Sequence, residues 1–194
     1  VLCANRTPFT ASEIGVFDGF VRGGGGLIVM ADMAFGNDPA SPGSSNYVMS
    51  CDPYVADNAV LALFGMELLA DNFAPPSSAF ASVDHPVMRG THAGIRGEGL
   101  SLVRASGVSS DYPLIVATPV ATAAAPGNWC PPSTPLQPGE TFGAVGVCEA
   151  GQGRVVATFD RNTFLNPPGF GTHLNDASNL VFAMNLFHWA SGLD

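Results

Sequence analysis

The chain has 194 residues, 16 acidic and seven basic, for a net charge of −9; all seven basic residues are Arg, and so acidic a surface has no basic patch to attract phosphates, which excludes nucleic acid as a partner. At 46% hydrophobic and 12% charged, with 23 Gly and 16 Pro, the composition is that of one loop-rich globular domain over residues 1–194 rather than a disordered chain or two domains. The longest apolar runs, GLIVMA and VFAMNLF, fall far short of the ~20 residues of a membrane span, so the protein is expected to be soluble.

In chain order, VLCAN reads as a strand. With no initiator Met or leader before it, it is expected to begin inside a domain or at a processed end. Thr10 and Glu13 have the spacing of a capping box, Ile14, Phe17 and Val21 recur at helical intervals, and Gly23 is placed to end that helix. GGLIVMAD is a short apolar run bounded by glycines, the pattern of a strand buried on both faces. Residues 33–53 show no period and read as a long loop. Asp52-Pro53 then opens a helix through YVADNAVLALFG that Gly65 ends, and MELLADNF reads as the next strand.

Further on, SVDHPVMRG reads as a turn, GLSLVRA and YPLIVAT as strands, and residues 119–139 as a long Pro- and Ala-rich surface excursion. TFGAVGVCEAGQGRVVATFD carries a hairpin signal, two strands around a Gly-rich turn. The last helix is expected from near Asp176, with Leu180, Met184 and Phe187 on one face and Gly192 at its end. Strands alternating with helices predict an α/β fold: a three-layer sandwich with a mainly parallel sheet, flavodoxin-like in type, plus a C-terminal β-hairpin and helix.

Cys3, Cys51, Cys130 and Cys148 include no C-x-x-C pair, which speaks against a zinc knuckle or thioredoxin-type motif. The even set allows two disulfides in an exported protein; Cys130 with Cys148 is the favoured pair, since it would tie the Pro-rich excursion to a strand. This reading carries an extracellular or periplasmic location.

In open parallel sheets ligands collect at the carboxyl ends of strands. Three polar points fall there: Asn5-Arg6 after the first strand, Asp32 after the second, and Asp160 to Asn166 in FDRNTFLN after the last. Asp32, Asp160, Asn162, Asn166 and His173 are therefore the candidate ligand-binding residues; as oxygen and imidazole donors, a cluster of Asp32, Asp160, Asn162 and His173 would suit a hard cation or an oriented water. The competing reading is that each caps its own turn. His85, before Pro86, is read as bonding local backbone, and His188 as a packing residue beside Trp189. In FDRNTFLN, Phe159 and Phe164 read as core anchors. GVCEA superficially resembles a nucleophile elbow, but an elbow needs a helix after it and here a turn and a strand follow, so Cys148 is not read as a nucleophile. No G-x-S-x-G, H-E-x-x-H or phosphate-binding Gly-rich loop occurs.

The ordered pieces PFTASEIGVFDGFVRGGGGLIVMAD, NAVLALFGMEL, DHPVMRG, GQGRVVATFDRNTFLN and ASNLVFAMNLFHWASG resemble the amidotransferase-like α/β domains of the DUF4350 and gliding-motility GldG type. Those domains share a fold with class I glutamine amidotransferases and with the N-terminal domain of intraflagellar transport protein 52. The resemblance covers most of the chain except residues 37–52 and 119–140, and implies one more strand and helix before Val1. It does not carry glutaminase activity, because that needs an elbow Cys and a His-x-Glu pair, and the four His stand in HPV, HAG, HLN and HWA. Where the family pattern has a His after the Asp matching Asp32, this chain has Met33.

The resulting expectation is a non-catalytic ligand-binding or interaction domain without cofactor or metal, recognising a small polar ligand, a glycan or a protein partner. The alternatives are a hydrolase in which Asp32 or Asp160 orients water, with or without a metal, and a structural module of an exported assembly.

Overall fold

The computed structural model describes residues 1–30, 35–37, 47–49, 52–70, 84–96, 101–105, 114–115, 142–158, 160–164, 166 and 174–193. The chain opens with β1 (Leu2–Cys3), followed by helix α1 (Ala11–Arg22). The capping box expected there is present: the Thr10 amide donates to Glu13 Oε2 at 2.8 Å and the Glu13 amide donates to Thr10 Oγ1 at 3.3 Å. This satisfies two of the amides that a helix start leaves without partners. Gly23 caps the other end, and β2 (Gly26–Met30) follows.

Residues 33–53 are not all loop. Two short strands, β3 (Phe35–Asn37) and β4 (Tyr47–Met49), pair antiparallel with Phe35 opposite Met49. Three residues on either side, one of them Gly36, are too few to carry an alternating pattern, so only the cross-strand pairing reveals them. Helix α2 (Asp52–Leu61) runs into a 3₁₀ turn over Ala62–Phe64 that ends at Gly65, whose φ of 68° is left-handed. Strand β5 (Met66–Ala70), a 3₁₀ turn at Pro86–Met88, β6 (Ser101–Ala105), β7 (Leu114–Ile115), β8 (Phe142–Gly143), β9 (Val145–Ala150) and β10 (Gly153–Thr158) come next. A 3₁₀ turn over Arg161–Phe164 and helix α3 (Asn179–Ala190) complete the described elements. The surface excursion expected at 119–139 lies outside the described residues, as does Phe159.

The fold is mixed α/β. The main sheet has the order β1-β2-β10-β9-β7. β1 and β10 pair parallel with β2, while β9 pairs antiparallel with both β10 and β7. Four strands therefore run one way and β9 alone runs back, as the β9–β10 hairpin requires. A second sheet, β5-β6-β8, is antiparallel throughout. Among the described residues, no helix is long and apolar enough to cross a membrane.

Alternation along the central strands divides the core in two. Leu27 and Val29 of β2 join Val155 and Ala157 of β10 in a cluster with α1 and α2 residues such as Val21, Tyr54 and Val60. Ile28, Met30 and Val156 point the other way, to Phe182, Leu186 and Trp189 of α3. Close backbone approaches fix this arrangement. A β-carbon on Gly153 would lie 1.9 Å from the Val21 carbonyl oxygen, and one on Gly26 would lie 2.1 Å from that of Ala190. The glycines of the hairpin and of β2 are thus where the sheet touches the ends of α1 and α3.

Helix α3 departs from its expected form in two ways. It begins at Asn179 rather than near Asp176, because Ala177 sits in the left-handed region at φ 46° and interrupts a helical path. Its Leu180, Met184 and Phe187 do share a face, but that face is exposed; the buried stripe is Phe182, Ala183, Leu186, Trp189 and Ala190. His188 is exposed rather than packed. Trp189 fills the core place beside it, with the Arg154 guanidinium 5.2 Å from its ring centre.

Candidate functional site

The carboxyl ends of β1, β2 and β10 are brought side by side by strand register: Cys3 and Thr158 both lie opposite Met30. The Ala4 amide extends the ladder by donating to the Met30 carbonyl at 3.2 Å. Loops leaving these three strands therefore emerge at one edge.

At that edge Ala4 turns into the left-handed region, φ 48°, a conformation that costs an alanine on the order of 1 kcal/mol. The turn faces Asp57, in the middle of α2. Asn5 Nδ2 donates to Asp57 Oδ1 at 2.9 Å, and the backbone of Asn5 and, more weakly, of Ala4 also favours the ionised carboxylate. Asp57 is only 1% exposed. Burial pushes its carboxyl up from 3.8 to about 6, against the opposing pull of the hydrogen bonds from Asn5 and Ala4. A carboxyl of that kind changes protonation near neutrality.

On the other side of β2, Asp160 is buried two residues beyond the end of β10, between the buried Thr158 and Thr163. Thr158 Oγ1 is enclosed without a hydrogen-bond partner among the described residues. Thr163 Oγ1 donates to the Arg96 carbonyl at 3.1 Å. Asn179, the first residue of α3, holds both backbone groups of Arg96: its Oδ1 accepts from the Arg96 amide at 2.8 Å and its Nδ2 donates to the Arg96 carbonyl at 3.0 Å. Ser178 Oγ accepts from the Ala93 amide at 3.1 Å. The segment after β10, the 93–96 loop and the start of α3 are thereby tied into one polar support, and the polar residues near 176 to 179 serve it.

Of the residues expected to bind ligand, Asp160 lies at the anticipated edge and is buried, and Asn166 is exposed beyond the 3₁₀ turn that carries Asn162. Asp32 and His173 lie outside the described residues. Phe164 is the partly buried anchor expected, stacked on Phe182 with ring centres 6.0 Å apart. His85 bonds local backbone as read from the sequence: its Nδ1 accepts from the Val87 amide at 3.2 Å, and its ring edge meets Trp189 at 5.3 Å.

Cys148 lies inside β9, with a turn and β10 after it. Its thiol is free and buried, and burial pushes it up to about 12, which keeps it protonated at neutral pH. Its expected disulfide partner, Cys130, lies outside the described residues, as does Cys51; Cys3 is exposed. A cavity of about 220 Å³ opens at the opposite, amino end of the strands, lined by Val1, Gly26, Ile28, Phe187, Ala190 and Ser191.

Asp57 is the member of this edge that the sequence reading missed. The available signal was the polar pair Asp57-Asn58 inside the otherwise apolar YVADNAVLALF. Asn58 pairs with β5, donating to the Leu68 carbonyl at 2.9 Å and accepting from the Leu68 amide at 2.7 Å. No protein-family model, curated protein or solved structure matches the chain.

Proposed function

We propose that the protein is a non-catalytic ligand-binding domain of amidotransferase-like, three-layer α/β fold, taking a small polar ligand or glycan at the carboxyl edge of β1, β2 and β10. The observation that carries this reading is the register that brings the three strand ends together, with buried Asp57 on one flank and buried Asp160 on the other. Two carboxylates and the Thr158 hydroxyl suit a ligand rich in hydroxyl groups, which donate to carboxylates and both donate to and accept from a threonine. The protonated, mid-strand thiol of Cys148 supports a role other than amidotransfer.

The test is a thermal-shift screen of the 194-residue chain against mono- and oligosaccharides, polyols and, separately, Ca²⁺ and Mg²⁺. A ligand at 100 times its dissociation constant adds about 2.7 kcal/mol, a rise of several degrees. Asp160→Asn and the exposed Asn166→Ala are expected to reduce that rise. If no compound moves the transition, or if both variants respond like the parent, the proposal fails.

One observation favours a second reading, a hydrolase: a carboxyl titrating near 6 at this same edge. It predicts turnover of chromogenic glycosides or esters with an inflection near pH 6 that Asp57→Asn removes. Absence of turnover across such a panel refutes it.

A further inference from the structure

Asp57 is 1% exposed, and among the described residues the groups that hold its carboxylate all belong to the Ala4–Asn5 turn. No cation among them pairs with it. A charge buried with so few partners gains by reaching water, and of the two elements that enclose it the less firmly held one yields.

Those two elements are held very differently. Helix α2 sets Tyr54, Ala56, Val60 and Leu61 into the core and is tied to β5 by both Asn58 bonds to Leu68. The turn, by contrast, leaves a strand that pairs with β2 only at Leu2 and Cys3. The Ala4 amide adds one bond, to the Met30 carbonyl at 3.2 Å, and Ala4 holds a φ of 48° that an alanine leaves readily. Leu2 is buried and Phe9 packs on Phe17 with ring centres 5.2 Å apart, while Arg6, Thr7 and Pro8 between them are exposed. Both ends of the segment are therefore anchored and its middle is not.

We propose that the Ala4–Asn5 turn is a latch over Asp57 that opens when the carboxyl ionises, moving between the anchors Leu2 and Phe9 and uncovering the carboxylate at the edge where β1, β2 and β10 end. Other charged groups on the surrounding elements are engaged elsewhere. On α1, Glu13 bonds Thr10 and Asp18 pairs with Arg22; on β5, Glu67 pairs with Arg104. Asp52 opens α2 more than a turn away, and Arg6 lies on the turn and moves with it. With the turn shut, burial raises the carboxyl from 3.8 to about 6, and an open turn returns it towards 3.8. The shut form is favoured in full below pH 3.8 and loses that advantage as pH rises through about 6, which multiplies the opening constant about 50-fold between about pH 4 and 7. The latch operates with or without a ligand at the edge.

Hydrogen–deuterium exchange on the 194-residue chain tests this at the Ala4 and Leu68 amides, expressed as protection factors so that base catalysis of exchange divides out. Ala4 protection should fall about 50-fold from about pH 4 to 7 and should be unchanged by about 1 M urea, because a local opening exposes little surface; Leu68, released only by wider unfolding, should lose protection in the same urea. Asp57→Asn should abolish the pH dependence at Ala4. Asn5→Ala, which removes the latch bond but leaves the α2 core in place, should lower Ala4 protection roughly 10-fold at pH near 7 without changing Leu68. Ala4 protection that is constant with pH, that responds to urea as steeply as Leu68, or that keeps its pH dependence in Asp57→Asn would overturn the proposal, as would Asn5→Ala leaving Ala4 protected as in the parent.

Discussion

Replacing Asp57 by Asn removes a titrating group from the core while keeping its shape, so its effect should depend strongly on pH. In the folded protein the Asp57 carboxyl lies at about 6, against an ordinary 3.8. A raised folded value means that the native state holds the proton more tightly than the unfolded chain. The resulting stabilisation is complete below pH 3.8 and is lost as pH rises through about 6. With ~1.4 kcal/mol for each factor of ten in proton affinity, the difference comes to roughly 3 kcal/mol between pH 3.5 and 7.

The other carboxylates titrate alike in parent and variant and cancel in the difference between them. At low pH the parent carries a protonated carboxyl, whose carbonyl oxygen accepts from Asn5 as the oxygen of the substituted amide does, so there the two proteins should differ by no more than about 1 kcal/mol. Between pH 3.5 and 7 its stability relative to the parent should then improve by about 3 kcal/mol, equivalent to ~6–12 °C for a chain of this size. Urea unfolding at half-unit pH steps reads this directly. A difference between the two proteins that stays constant with pH would refute the reasoning, because it would mean that Asp57 titrates at its ordinary value.

Two further predictions rest on packing. Gly153→Ala forces a β-carbon to within 1.9 Å of the Val21 carbonyl oxygen and 2.4 Å of that of Gly25, both backbone atoms, so a loss of about 3 kcal/mol is expected. Gly19→Ala, where nothing lies within 4 Å, should instead stabilise α1 by up to ~1 kcal/mol, and equal thermal shifts for the two would contradict the close approach. In the second sheet, Glu67 of β5 and Arg104 of β6 face each other as a buried ion pair, with side chains 8% and 2% exposed. Glu67→Gln removes the negative charge and should cost about 3 kcal/mol, close to 10 °C; a melting temperature within ~2 °C of the parent would show that the pair contributes little.

Features encoded by neighbouring residues were legible in the sequence. The Thr10–Glu13 box, the Gly23 stop, the buried run of β2, the β9–β10 hairpin and the His85 turn each depend on groups only a few positions apart. The edge to which Asp160 belongs also followed from chain order, because strands that alternate with helices place their carboxyl ends together. Asp57 escaped because its burial comes from packing α2 against the end of β1, a contact 52 residues apart in sequence. The β3–β4 pairing and the Glu67–Arg104 pair escaped for the same reason: each is a relation between strands, and neither strand alone reveals its partner.

Helix α3 shows the division most sharply. The sequence by itself determined that NLVFAMNLFHWA is a helix and that it is apolar, since it has strong helix formers and no charged residue. It could not determine which side is buried, because an apolar residue on nearly every face leaves no polar contrast to orient the helix. Only the tertiary structure decided that. Phe182, Leu186 and Trp189 fit the alternate side chains of β2 and β10, and the close contact of Ala190 with Gly26 fixes the rotation that leaves Leu180, Met184 and Phe187 outside.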